Sequence, residues 1–217
     1  MNIEATKLTL YLHGAAVLND ISLNIPNESL TTIVGPNGSG KSSLLRVLAG
    51  ELRSFRGKIT EIPPKSISYL PQSLDSPPFL TIKEVISLGF YGQRIDKKIK
   101  DLHIKRLIET CGIESLGTKN IIDVSEGEKQ RTWLAFALAQ QKNIIMWDEP
   151  LSNIDDDGKS IFAKLIRNLA DEGKTIVNVS HDSESIEYSD HVIYLEKGKT
   201  VFQGSVTDYQ AFLSRSY

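Results

Sequence analysis

One octapeptide constrains this chain more than anything else in it. Gly35-Pro36-Asn37-Gly38-Ser39-Gly40-Lys41-Ser42 fits the pattern G-x-x-x-x-G-K-[ST], a loop that cradles phosphate. Its glycines let the backbone curl so that successive N–H groups point inward as an anion nest. Lys41 can reach the β- and γ-phosphates of a nucleotide, and the Ser42 hydroxyl is a ligand for Mg²⁺. Leu30 to Val34 before the loop reads as a short β-branched strand. After it, Ser43 to Ala49 reads as a helix ending at Gly50, with Ser43 still in the cradle. A strand, a glycine loop and a helix start aim a helix dipole at phosphate, so a nucleoside triphosphate site is expected.

With 217 residues the chain can bury a real core and fits one domain with a subdomain inserted in it. A net charge of −2 leaves no electrostatic footprint for nucleic acid, which is not expected as a partner. The one cysteine, Cys111, lies in a helix-like segment and reads as a small buried apolar residue, which suits a reducing cytosol. Met1 to Ala5 lacks the basic-then-apolar layout of a secretory signal. No apolar run approaches the roughly 20 residues that span a bilayer. The chain is therefore expected to be soluble and to meet a membrane only through a partner.

Lys7 to Leu12 and Val17 to Ile25 read as strands joined at His13-Gly14. Gly57 to Ile62 and Ser66 to Leu70 are strand-like, and Pro71-Gln72 closes the second. Helical patterns then take over. Thr81 and Glu84 form a capping box, and Ile95, Ile99, Leu102, Ile104, Leu107 and Ile108 recur at helical spacing. A third helix runs from Ser125 to about Gln141. Asn143 to Trp147 and Lys174 to Val179 read as buried parallel strands flanking an amphipathic helix from Asp155 to Leu169. Val192 to Leu195 and Thr200 to Gln203 form a hairpin across Lys197-Gly198. Alternating strands and helices predict an α/β core; the helix-rich stretch from about 75 to 140 interrupts it as an inserted helical subdomain of a single domain spanning 1–217.

The run Ile144-Ile145-Met146-Trp147-Asp148-Glu149-Pro150 places two carboxylates at a strand's end. Asp148 suits a Mg²⁺ contact made through water. Glu149, one residue farther, is expected on the opposite side of the strand axis, as a general base for the attacking water.

The order of these motifs is similar to that of the nucleotide-binding subunits of ABC transporters, over essentially the whole chain. Gln72 follows a strand about thirty residues after the phosphate loop, Ser125-Glu126-Gly127-Glu128-Lys129-Gln130-Arg131 comes about twenty before Asp148, Ser152-Asn153-Ile154-Asp155 follows the acids, and His181 follows the next strand. The resemblance implies an α/β phosphate-loop core with an N-terminal antiparallel β subdomain and the helical insertion. It implies that Gln72 senses Mg²⁺ and water near a permease, that His181 bonds the γ-phosphate, and that Asp155 lies at a subunit interface. Ser125, Gly127 and Glu128 resemble the signature that contacts the ATP of an opposite subunit. Two ATP with Mg²⁺ are then sandwiched in a head-to-tail dimer, expected to pair two copies of this chain. The location implied is the cytoplasmic face of a membrane, on a permease that acts with a substrate-binding protein.

Two positions depart from the family pattern. Glu126 stands where a signature glycine is usual; Ser125 and Glu128 also form an S-x-x-E capping box that starts a helix with no ligand. An inward carboxylate there predicts slower hydrolysis or a weaker closed dimer, with ATP binding intact. The adenine-stacking aromatic is also displaced: Leu12 occupies its place, flanked by Tyr11 and His13, and Tyr11 is the residue chosen. Ser68 to Gln72, Leu80 to Val85, Gly89 to Gly92, Gln130 to Gln140 and Leu151 to Asp155 resemble the ATPases of siderophore, heme, cobalamin and metal-ion importers. The competing class is a soluble cassette ATPase acting as a clamp or switch. One cassette, no zinc-binding cysteine insertion, no coiled-coil arm and no basic patch count against it.

Overall fold

The computed structural model describes residues 2–63, 66–72, 74–150, 155–180 and 183–215. Strands β1 (Ile3–Leu12) and β2 (Ala15–Ile25) form an antiparallel hairpin that sets Leu10 opposite Leu18 and Leu12 opposite Ala15. Its turn is His13-Gly14, both at positive φ, as the sequence predicts. Strand β4 (Phe55–Ile59) adds to the other edge of β1. It starts two residues earlier than expected and stops at Ile59. Phe55 pairs with Leu10 and packs on the apolar layer, whereas Thr60 keeps one backbone bond to Glu4 before Pro63.

The second sheet has the order β5-β6-β7-β3-β8-β9. It comprises β3 (Leu30–Val34), β5 (Ile67–Leu70), β6 (Ile144–Asp148), β7 (Thr175–Val179), β8 (His191–Glu196) and β9 (Lys199–Ser205). The first five in spatial order are parallel and β9 closes the edge antiparallel to β8. All residues of β3 and β7 are buried, the signature of strands covered on both faces.

Helix α1 (Lys41–Leu48) lies between the two sheets. Leu44, Leu45 and Leu48 meet Ile33, Met146 and Val179 on one side and Leu8, Leu10 and Leu18 on the other. The opposite face of the large sheet is covered by α5 (Asp156–Asp171) and by the helical segment α2 (Ile82–Leu88), α3 (Lys97–Thr110) and α4 (Glu126–Ala139). Leu70, Trp147 and Ile176 there join Ile86, Ile104, Leu134, Phe162 and Ile166 in one apolar cluster, and the Trp147 and Phe162 rings meet edge to face at 5.1 Å. The helical segment is thus seated on the sheet by the strands that carry Gln72 and Asp148. Cys111 is part of this layer, and burial pushes its thiol up to about 12.

The local start signals hold. Thr81 and Glu84 make both bonds of a capping box, and so do Ser125 and Glu128. Helix α3 starts at Lys97 rather than near Ile95, because the Asp96 carboxylate accepts from the Lys98 N–H at 2.8 Å and caps it. Two helices lie beyond the sequence reading: α6 (Ser183–Glu187) and α7 (Val206–Arg215). The second was legible. Ser205 and Asp208 bond each other at its start, and Tyr209 and Phe212, three residues apart on one face, stack on Phe202.

Candidate functional site

The phosphate loop leaves β3 at Val34 and enters α1 at Lys41, as the sequence predicts. Two glycines are required by geometry. A Cβ on Gly35 would lie 2.1 Å from the Leu195 carbonyl oxygen, and Gly40, at φ 101, would press a Cβ onto Val17 and Leu18. Gly40 caps α1 without any side-chain bond, and the first turn holds no acid. The first amides of the helix are therefore left to an anion. Lys41 is buried, with Nζ on the carbonyl oxygens of Gly35 at 2.9 Å and Pro36 at 3.1 Å. That places its charge over the loop.

Two further strands deliver their ends to the same place. The Ser42 hydroxyl donates to Asp148 Oδ1 at 3.0 Å, joining the start of α1 to the end of β6. Asp148 is buried, and desolvation is the main cause that raises its pKa; the Glu149 carboxylate adds to this, while the Ser42 hydroxyl and Lys41 oppose it. Gln72, just past β5, donates from Nε2 to Glu149 Oε2 at 2.6 Å. A cleft of about 380 Å³ is lined by Asn37, Gly38, Gly40, Lys41, Ser42, Ser43, Gln72, Glu149 and Val17.

Glu149 reaches that cleft by a different route from the one expected. Strand alternation ends at Asp148; Glu149 has φ 52 and its N–H donates to the Val179 carbonyl at 3.0 Å. This left-handed residue, uncommon for a side chain with a Cβ, turns the carboxylate toward Gln72.

Tyr11, Ser125, Gly127, Glu128 and Asp155 are not among the residues that line the cleft. Ser125, Gly127 and Glu128 open α4, and the Asp155 carboxylate caps α5 by accepting from the Gly158 N–H at 2.9 Å. Glu128 is held below the usual carboxylate range, first by the Ser125 backbone N–H. Glu126 folds back along its own helix onto Lys129 at 2.7 Å. Tyr11 is 52% exposed, with the Arg56 guanidinium 5.8 Å from its ring centroid, and Val17 rather than Tyr11 borders the cleft. Val17 went unnoticed because a valine entering a strand carries no chemical signal. His181 and Ser152-Asn153-Ile154 lie outside the described residues.

The donor set fits Mg²⁺. A hydroxyl and a carboxylate 3.0 Å apart are hard oxygen ligands, and Mg²⁺ typically takes one or two carboxylates alongside nucleotide phosphates. No cluster of three or more His, Cys, Asp or Glu occurs among the described residues, so an all-protein metal cage is not what these residues offer.

The family described as "ABC transporter" matches residues 18–152, the stretch from β2 through the strand-end acids. The manganese transport system ATP-binding protein MntB of Listeria innocua is 36% identical, over 95% of this chain and 90% of that protein. The iron(3+)-hydroxamate import ATP-binding protein FhuC of Bacillus subtilis is 29% identical, over 95% of this chain and 83% of that protein. Among solved structures, cbiO1 of Clostridium perfringens, part of the transporter complex cbiONQ, superposes with a TM-score of 0.87 at 26% identity, covering 96% of this chain and 90% of that one.

Proposed function

This chain is an ATP-hydrolysing member of the ABC transporter family, and on that premise we propose that it powers a membrane permease importing a metal ion or a chelated metal. The observation that carries the reading is the convergence of Lys41, Ser42, Asp148, Gln72 and Glu149 at one cleft. The printed functions of the relatives, manganese transport and iron(3+)-hydroxamate import, support the cargo class.

The triphosphate binds along Gly35 to Ser43, with the loop amides and Lys41 on its phosphates. Ser42 and Asp148 would hold Mg²⁺, with Gln72 close by, and the ion would supply charge neutralisation on the phosphates. Glu149 takes a proton from the attacking water, and Gln72, already bonded to that carboxylate, positions it. His181 acts at the γ-phosphate. Two copies of the chain close so that Ser125, Gly127 and Glu128 of each meet the nucleotide of the other, with Asp155 between them. Tyr11 contributes to the adenine side. The segment 75–140 moves as a subdomain and passes closure to the permease.

Exposed apolar residues on that segment support a membrane-protein partner. Phe79 is 77% and Tyr91 93% exposed, and Tyr91 lines a groove of about 490 Å³ with Leu88 and Phe136. No helix among the described residues is long and apolar enough to cross a membrane. In this reading the permease holds the chain at the cytoplasmic face. A substrate-binding protein delivers the cargo on the far side.

Gentle solubilisation of native membranes followed by capture of this chain tests the proposal. Recovery of a many-span permease, with metal uptake lost when the chain is deleted, supports it. Soluble partners alone, with the chain absent from membranes, would establish the clamp or switch reading instead.

A further inference from the structure

The face of the large sheet that carries α5 and α6 is interrupted by a buried polar cluster that neither nucleotide contacts nor helix capping explains. Along β3, Leu30 belongs to the apolar cluster under the helices and Val34 to the one under α7; Thr32 between them is polar and fully buried. Its register partner on β7 is Asn178, also buried. The Thr32 hydroxyl donates to Asn178 Oδ1 at 2.7 Å and touches the Ser189 hydroxyl. Ser189 donates to the Ser185 carbonyl of α6 at 2.7 Å. An apolar core would be simpler at these positions, because replacing bonded polar partners by apolar groups of the same shape can be neutral or stabilising.

The cluster's place in the chain explains its use. Asn178 is the fourth residue of β7, which ends at Val179, and Ser185 and Ser189 lie in and just after α6. His181 falls between these anchors in sequence. Thr32 lies three residues before Gly35, on the strand that delivers the phosphate loop. One hydroxyl on β3 thus ties together both flanks of the segment that carries His181.

We propose that Thr32, Asn178 and Ser189 are positioning residues for hydrolysis: they staple the flanks of the His181 segment to the strand that carries the phosphate loop. The proposal rests on the reading of His181 as a γ-phosphate contact. None of the three lines the phosphate-loop cleft, so their loss acts on turnover and leaves binding intact.

The test measures ATP turnover, ATP affinity and thermal stability of the full chain in Thr32→Val, Asn178→Leu, the double variant, Thr32→Ser and His181→Ala. Thr32→Val keeps the shape and removes the hydroxyl; kcat is expected to fall about tenfold or more with ATP Kd within about twofold, while Thr32→Ser stays near wild type. Replacing both bonded partners by apolar groups removes the unpaired polar atom, so the double variant should regain stability lost by the single ones. Its turnover should stay low. If turnover returns together with stability, or if Thr32→Val turns over normally, the cluster only holds the fold and the proposal fails. Normal turnover in His181→Ala overturns the reading beneath it, and the staple with it. Low turnover there beside normal turnover in Thr32→Val removes the staple alone.

Discussion

Two helix starts in this molecule use the same backbone chemistry for opposite ends. At α1 the cap is Gly40, no side chain bonds the first amides, and the first turn has no acid but Lys41. At α4 the cap is Ser125, the capping box with Glu128 is complete, and two acids, Glu126 and Glu128, sit in the first turn. Every helix start has free N–H groups and a positive dipole end. The first start leaves them open and adds a cation, so it binds phosphate by itself. The second satisfies them with its own side chains, so an incoming phosphate must displace Ser125 from Glu128 or share it. In the proposed dimer, a second subunit's nucleotide would meet a start that is stable without it.

The comparison breaks first at the open start. Glu149→Gln should lower ATP turnover by roughly 10² to 10⁴ with nucleotide affinity retained; steady-state hydrolysis beside equilibrium ATP binding checks this, and near-normal turnover would remove Glu149 as the base. Gly40→Ala should destabilise the chain by about 2 to 3 kcal/mol and abolish ATP binding, since its Cβ meets Val17 and Leu18 in a left-handed backbone. Denaturant melts with and without MgATP would show both losses, and an intact melt would mean the loop can relax.

Smaller effects are expected at the closed start. Ser125→Ala should cost about 1 kcal/mol in a thermal or urea melt. Glu126→Gly should raise hydrolysis or closed-dimer formation by about 2- to 5-fold, since it removes a carboxylate from the first turn of a helix start proposed to meet phosphate; the side chain is turned onto Lys129, which keeps the gain small. Equal hydrolysis and equal dimer yield would show that Glu126 is neutral.

Smallest is a pH effect at Asp148. Its raised pKa means that acidification protonates it sooner than an ordinary aspartate, at about 3.9, and a proton there competes with Mg²⁺. MgATP affinity should thus weaken on acidification, with less pH dependence in Asp148→Asn. For folding the sign is reversed: the folded chain holds this proton more tightly than the unfolded one. The stabilisation is present at low pH and is lost as pH rises through the raised pKa, where bound Mg²⁺ offsets the loss.

Much of the site could be read from order and spacing. The phosphate loop, the strand-end acids, Gln72 and both capping boxes are local patterns, because loop curvature and cap bonds are made within a few residues. Tyr11 and Val17 could not be told apart, since which edge of β2 borders the loop depends on how the small sheet packs over α1. Nor could strand alternation foresee Glu149, whose direction comes from a left-handed residue bonded to Val179. The helix α7 lay within reach of its spacing, but a short segment after a hairpin forms only because Phe202 offers its rings a surface.

By itself the sequence determined the chemistry: a loop that must bind phosphate, a carboxylate that suits Mg²⁺, and helices that begin at Thr81 and Ser125. Those follow from bonds between near neighbours, which no packing has to supply. Only the tertiary structure decided which distant groups meet. Ser42 lies against Asp148, Gln72 against Glu149, and Thr32 against Asn178 and Ser189, because parallel strands far apart in the chain must align their ends in one sheet before those side chains can touch.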